Sequence, residues 1–341
     1  MNDFLNLLEE LCSIPGPSGF DAAVRDAVER LAAPYASEMR RLPLGGLLVF
    51  KKGAQSGKTV MFDAHMDEVG FIITGIREDG LARFDALGGV NTAVAMSRRV
   101  LCSGCLGVIG GKAGEGLSGD EHMAPAPVDT MYIDFGFDSR EEAEKHIAPG
   151  DPVTFDSDFV RFGDHRVKAK ALDDRAGCAL LLDLMRKDLP YDAWFSFSTF
   201  EEIGGAGAKT AAFAVQPDYA VVVEATTAAD IGGVPYENQV CRQQKGAAIS
   251  FMDRSTIYPP DLYRAVLRLA EEKGIAVQPK EGVFGGNNAG SIHPAASGVR
   301  CVAVSLPCRY IHSGSSVLHE DDLRAASELL LALDELLGKG L

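Results

Sequence analysis

Apolar positions along the chain follow two alternating rhythms. An amphipathic segment runs through Leu11, and Pro15-Gly16-Pro17-Ser18-Gly19 breaks it. A second helix is predicted near Asp21–Ala32, followed by strands near Leu47–Lys51 and Val60–Ala64. From Gly70 to His165 the texture changes to short β-type runs separated by glycines. These are Gly70–Ile76, Arg98–Cys102, Gly107–Ile109, Met131–Phe135, Pro152–Phe155 and Phe159–Arg161, with one helix at Ser139–His146. Helix and strand then alternate again. The pattern predicts helices at Asp174–Lys187, Gly205–Ala214, Pro260–Lys273 and Glu320–Leu337, and strands at Ala193–Phe200, Tyr219–Glu224 and Val299–Ser305. Continuously apolar strands such as Val221-Val222-Val223 suit a sheet covered on both faces. The expected fold is α/β: a mixed sheet with helices on both faces, and a small β-rich, barrel-like insert. The expected division is residues 1–69 and 166–341 for the α/β domain and 70–165 for the insert.

Composition narrows the function classes. The 341 residues are 46% hydrophobic and 24% charged, with a mean hydropathy of +0.03, which is the balance of a globular protein and excludes intrinsic disorder. The 33 basic and 48 acidic residues leave a net charge of −15, so a nucleic-acid backbone or anionic membrane surface would be repelled. No apolar run approaches the ~18 residues a membrane span needs, and Met1–Cys12 lacks a basic-then-apolar leader; a cytoplasmic protein is expected. The seven cysteines are an odd, scattered set and read as reduced thiols. Cys102 and Cys105 form a lone C-x-x-C with no second pair at zinc-ligand spacing.

Candidate chemistry lies outside the insert, in five short motifs at strand ends, where open α/β sheets gather functional side chains. They are His65-Met66-Asp67, Leu172-Asp173-Asp174-Arg175, Phe200-Glu201-Glu202-Ile203-Gly204, Val223-Glu224-Ala225-Thr226 and Arg309-Tyr310-Ile311-His312-Ser313. The i, i+2 spacing of His65 and Asp67 puts an imidazole and a carboxylate on one side of an extended segment, an arrangement that can steady a metal-bound histidine. Asp173 and Asp174 open an apolar helix. One suffices to cap it, which leaves Asp173 free to bridge cations. Glu201 and Glu202 repel each other unless a cation or proton intervenes, so one can bind metal while the other handles a water proton. Each motif alone also reads as ordinary loop or cap chemistry. Five at separate strand ends of one domain point to a common site. Two histidines have no place in a glycosidase, whose chemistry needs two carboxyls across a sugar.

In combination these motifs, with Ser13-Ile14-Pro15-Gly16-Pro17-Ser18-Gly19, resemble the glutamyl aminopeptidase-like, tetrahedral-aminopeptidase family of dinuclear metallopeptidases, whose relatives include other co-catalytic zinc exopeptidases. The resemblance covers essentially the whole chain. It implies His65 and Glu224 as terminal ligands of one metal, Glu202 and His312 as those of the other, and Asp173 as the bridge. It further implies Glu201 as general base, Asp67 as the partner behind His65, two divalent ions (zinc, with cobalt or manganese as alternatives), and a cis Asp173–Asp174 peptide. The expected activity is removal of N-terminal residues from short peptides. A related dinuclear deacylase and a catalytically silent assembly module are the alternatives. The insert is expected to serve self-association, with a dodecamer favoured over a dimer, and not to be needed for the metal site. Glu224 stands where the family usually has aspartate, and Gly286-Asn287-Asn288-Ala289 replaces Gly-Thr-Asp-Ala, which makes Asn288 the candidate substrate contact. Arg242 and Lys245 are basic loop residues that could attract an acidic side chain.

Overall fold

The computed structural model describes residues 1–111 and 128–341. Its centre is an eight-stranded mixed sheet in the order Glu38–Arg41, Leu47–Lys51, Tyr191–Ser198, Gln55–His65, Tyr219–Thr227, Arg300–Cys308, Ala247–Ile249, Val277–Pro279. The four strands from Tyr191–Ser198 to Arg300–Cys308 run parallel, so their carboxyl ends share one edge.

Strand alternation decides which side chains meet which layer. Val60, Phe62 and Ala64, with Val221, Val223, Val302 and Val304, enter the main core with the helices Asn2–Ser13, Ala22–Ala32, Leu172–Met185 and Glu320–Lys339. Met61, Ala220, Val222, Cys301 and Ala303 face the other way, against Ala208 and Ala212 of the helix Ala206–Val215 and Ile292. Burial on both faces is why Val221-Val222-Val223 lacks an alternating pattern. Parity also places Asp63, His65 and Glu224 on the thinner face with Met61 and Val222. Asp63 pairs with Val222, so His65 and Glu224, each two residues further on, are brought side by side.

Six strands between Gly70 and Phe155 close into a barrel with its own core, including Phe71, Ile73, Phe84, Val100, Ile109, Ile133 and Phe155. The strand Val160–Phe162 pairs instead with Arg166–Ala169, which pairs in turn with Ser316–His319. Cys102 and Cys105 face each other across a tight hairpin as free thiols. Among the described residues no helix is long and apolar enough to cross a membrane.

The long C-terminal helix carries a buried acid, Asp334, fully shielded from solvent. One carboxylate oxygen accepts from the Tyr191 amide at 3.0 Å and the other has no partner. Burial pushes its pKa up to about 6. A raised folded-state pKa means that ionisation costs stability above about 6 and costs nothing below the unfolded value near 3.8, so the penalty grows as pH rises through that window. Asp334→Asn is expected to stabilise the chain by about 1 kcal/mol at pH 8, with the gain fading toward pH 4. Denaturant midpoints at the two pH values measure this; an equal gain at both would exclude charge as the cause.

Candidate metal centre

Each site residue is placed by the end of a regular element. His65 closes the strand Gln55–His65, and Glu201 and Glu202 follow Tyr191–Ser198 after a turn through Phe200, whose φ is +61°. Glu224 differs from expectation, for it lies inside the strand Tyr219–Thr227, which continues three residues past it. His312 sits beyond Arg300–Cys308 in a loop tied by its own hydroxyls, with Ser313 and Ser316 donating to the Tyr310 carbonyl. Asp173 and Asp174 are non-helical residues within the first turn of Leu172–Met185, and the peptide between them is cis. Asp174 does cap, accepting from the Gly177 amide at 2.9 Å.

The side chains converge on Asp173. Its Oδ1 lies 3.3 Å from His65 Nε2 and its Oδ2 lies 3.2 Å from His312 Nε2, so each carboxylate oxygen faces a different imidazole. His65 Nε2 is also 3.4 Å from Glu224 Oε1, and His312 Nε2 is 3.5 Å from Glu202 Oε2. Among the described residues, His65 with Asp173 and Glu202, and His65 with Asp174 and Glu224, bring ligand atoms within 4.8 Å of one another. Both free nitrogens of the histidines are held from behind. His65 Nδ1 is 3.0 Å from the Asp67 carbonyl and 3.5 Å from its carboxylate, and His312 Nδ1 is 3.0 Å from the Gly89 carbonyl. The Asp67 carboxylate also accepts from the backbone amides of Glu201 and Glu202 at 3.2 and 3.3 Å.

Electrostatically the cluster demands positive charge. Burial pushes Glu201 up to about 7 and Glu202 up to about 8, with Asp173 adding repulsion to both. Burial and Asp173 likewise hold Glu224 well above the usual carboxylate range. Burial works against charge on the histidines too. Asp173 and Glu202 nevertheless carry His312 up to about 9, and Glu224 and Asp173 raise His65 well above its ordinary value. Asp173 goes the other way: burial would raise it, but the bonds from His312 and His65 hold it below the usual carboxylate range. Glu202 Oε1 and Glu224 Oε2 are buried with no hydrogen-bond partner. Carboxylates that face an imidazole nitrogen through one oxygen and leave the other orphaned are a donor set that suits a divalent cation.

Three features escaped the sequence. Asp63, fully buried beneath His65, accepts from Ser196 at 2.6 Å and from the Asn288 amide at 2.8 Å. Asn288, expected in the substrate pocket, is 1% exposed and spends its amide on Asp63 and Ser198 below the sheet edge. The insert also reaches the site. Besides the Gly89 carbonyl on His312, Gly88 packs so closely that a Cβ there would lie 3.1 Å from that of Glu202, at a φ of +85°. None of these has a local signature, because each depends on a contact between distant segments. Arg242 is engaged locally, donating to Gln239 and Tyr236, while Lys245 is exposed.

Acids and imidazoles meeting at the carboxyl edge of a parallel sheet core, under a barrel that touches the same site, define a metal-dependent hydrolase. Residues 45–329 match the model of the family described as M42 glutamyl aminopeptidase, and the chain belongs to that family. It is 28% identical to the glutamyl aminopeptidase of Lactococcus lactis subsp. cremoris, over 97% of this chain and 96% of that one. Among solved structures, the TET aminopeptidase of Thaumarchaeota archaeon SCGC AB-539-E09, from marine sediment, superposes with a TM-score of 0.94 at 31% identity, covering 98% of this chain and 97% of that one. The TET1 peptidase of Pyrococcus horikoshii, which can assemble into a tetrahedron or a large octahedral shell, is similar at a TM-score of 0.85 and 30% identity, covering 97% and 99%. The protein is therefore a metallo-aminopeptidase.

Proposed function

We propose that the chain removes N-terminal residues from short peptides with two divalent metals per subunit. His65 and Glu224 would hold one, Glu202 and His312 the other, and Asp173 would bridge them. The observation that carries this reading is Asp173 itself, whose two oxygens point at two different histidines 3.3 and 3.2 Å away. When bound there, two dications would supply a lowered pKa for a water and polarisation of the scissile carbonyl. Glu201 accepts the proton of the attacking water and passes it to the leaving amine, a role that suits a carboxyl pushed to about 7. Asp67 orients His65 and, through the two backbone amides it accepts, fixes the turn that carries Glu201 and Glu202. Asn288 acts in this reading from beneath, through Asp63 and Ser198. Zinc is the first choice for the metal, with cobalt or manganese as alternatives.

Release of aniline from amino-acyl anilides by protein reconstituted with zinc, cobalt or manganese tests the activity. Hydrolysis of N-acyl amino acids in place of anilides would favour a deacylase, and neither a silent module. Metal uptake should displace protons, since Glu202 sits near 8. Binding at pH 7 is expected to release protons from Glu202 and from the two imidazoles, and apparent affinity to rise with pH until His312, near 9, has lost its proton as well. Calorimetry in buffers of different ionisation enthalpy counts them, and a count of zero would speak against Glu202, His65 and His312 as the ligand set.

We also read residues 70–165 as an assembly unit that makes a homo-oligomer, with the dodecamer favoured over a dimer. The tetrahedron that the TET1 peptidase of Pyrococcus horikoshii can form, and a structure of a similar chain described as a dodecamer, support this. Light scattering on metal-loaded protein should give a mass near twelve times 36.3 kDa; a mass near 36.3 kDa itself would overturn it.

A further inference from the structure

Behind the metal centre lies a second ionic cluster that the proposed chemistry does not use. Arg175, the residue after Asp173-Asp174, is fully buried. Its Nε donates to the Met66 carbonyl at 2.6 Å, and its Nη1 donates to the carbonyls of Leu11 and Ile14 at 2.6 and 3.1 Å. Its Nη2 has no hydrogen-bond partner and lies 3.7 Å from Glu68 Oε1. Lys170, 4% exposed, donates to the same Glu68 oxygen at 2.7 Å and to the Ile14 carbonyl at 3.3 Å. Glu68 accepts in addition from the Gly16 amide at 2.9 Å. The Ser13–Gly19 motif is thereby explained. Gly16 runs so close to the guanidinium that a Cβ would stand 2.7 Å from Arg175 Nη2, so a larger residue would displace the arginine.

A buried guanidinium needs a reason to be there, because stripping its hydration is costly and a nonpolar side chain would fill the space more cheaply. The reason is what its Nε holds. Met66 is the residue between His65 and Asp67. Its amide donates to the Ser198 carbonyl at 2.8 Å and its carbonyl accepts from Arg175, so the corner is pinned on both sides. The pin on the second side comes from the short stretch that carries Asp173. We propose that Arg175 is a positioning residue that sets the His65–Asp67 corner at its distance from Asp173, and thereby the affinity of the metal held on the His65 side. His312, on the other side of Asp173, has its imidazole held from the Gly89 carbonyl. Lys170 reaches the N-terminal segment and Glu68 but not Met66.

This inference rests on the dinuclear reading, and zinc titration calorimetry on the full chain separates the two. Wild type should bind two equivalents; fewer would overturn the dinuclear reading and with it the assignment of Arg175 to one metal. Arg175→Lys and Arg175→Met are expected to weaken one equivalent tenfold to a hundredfold, the range typical when the partner behind a ligand is removed. The other equivalent should stay within about threefold. In a His312→Ala background, which leaves the His65 side to be read alone, Arg175→Lys should show the same loss. Lys170→Met is the structural control, expected to lower the melting temperature as much as Arg175→Lys does while leaving both affinities unchanged. Arg175 variants with wild-type affinities for both equivalents would overturn the proposal. So would a Lys170→Met chain with the same selective loss, because that would make it a generic effect of loosening the N-terminal segment. If Arg175→Met fails to fold, Arg175→Lys carries the test alone.

Discussion

Glu201→Gln is expected to cut turnover on the order of 10²–10⁴-fold while both metal equivalents stay bound. The substitution keeps the size of the side chain and the backbone amide that donates to Asp67, so the turn through Phe200 and the placement of Glu202 should survive. What it removes is the only function this residue has in the proposed mechanism, accepting and returning a proton. Glu201 suits that function because it is buried beside Asp173 and Asp67, a setting that raises its proton affinity, to about 7 without metal. Among the described residues both histidines lie within ion-pair distance of Asp173 and neither lies within that distance of Glu201. Steady-state kinetics together with metal analysis of the purified variant decides the matter. Loss of one equivalent of metal would make Glu201 a ligand, and retained turnover would move the base elsewhere.

The elements that carry the site were legible because their physics is local. The helix Pro260–Lys273 begins at a proline and stops at a glycine in the left-handed region, and both boundaries could be read from those two residues. The apolar strands ending near His65, Phe200 and Glu224 announced a two-sided sheet, and the acids and histidines clustered at their ends announced its edge. Weak strands were lost. Glu38–Arg41 is polar and almost fully exposed, so no hydrophobic rhythm marks it. Ala247–Ile249 and Val277–Pro279 are three residues each, too short for a period to appear. The short helix at Arg140–Ala143 occupies only the first part of the segment expected to be helical, and Ala143 and Ile147 are buried in the barrel core. The supports of the site were hidden for a different reason. Gly89, Asp63, Asn288 and Arg175 act through carbonyls and buried side chains of segments far apart in sequence, and nothing in their neighbours distinguishes a glycine carbonyl that orients a histidine from one that faces water.

Asp173→Ala is expected to empty the centre, with both equivalents of metal lost and turnover abolished. Each glutamate ligand makes its ion pair with one histidine: His65 and Glu224 meet at 3.4 Å, and Glu202 and His312 at 3.5 Å. Asp173 alone faces both. Among the proposed metal ligands it is also the one carboxyl held below the usual range, while Glu202 and Glu224 are both raised. It therefore supplies the permanent negative charge around which two cations can gather. Removing it leaves two half-sites of one carboxylate and one imidazole each, and each acid is then free to keep its proton in a buried setting. His312 should respond as well. Its pKa of about 9 owes its rise first to Asp173, so in the variant it should fall back toward the ordinary histidine value. The two readouts are independent: metal content by elemental analysis, and the His312 titration followed by NMR in protein stripped of metal. A variant that still binds one equivalent tightly would show that one half-site stands without a bridge. One that binds two would remove Asp173 from the ligand set altogether.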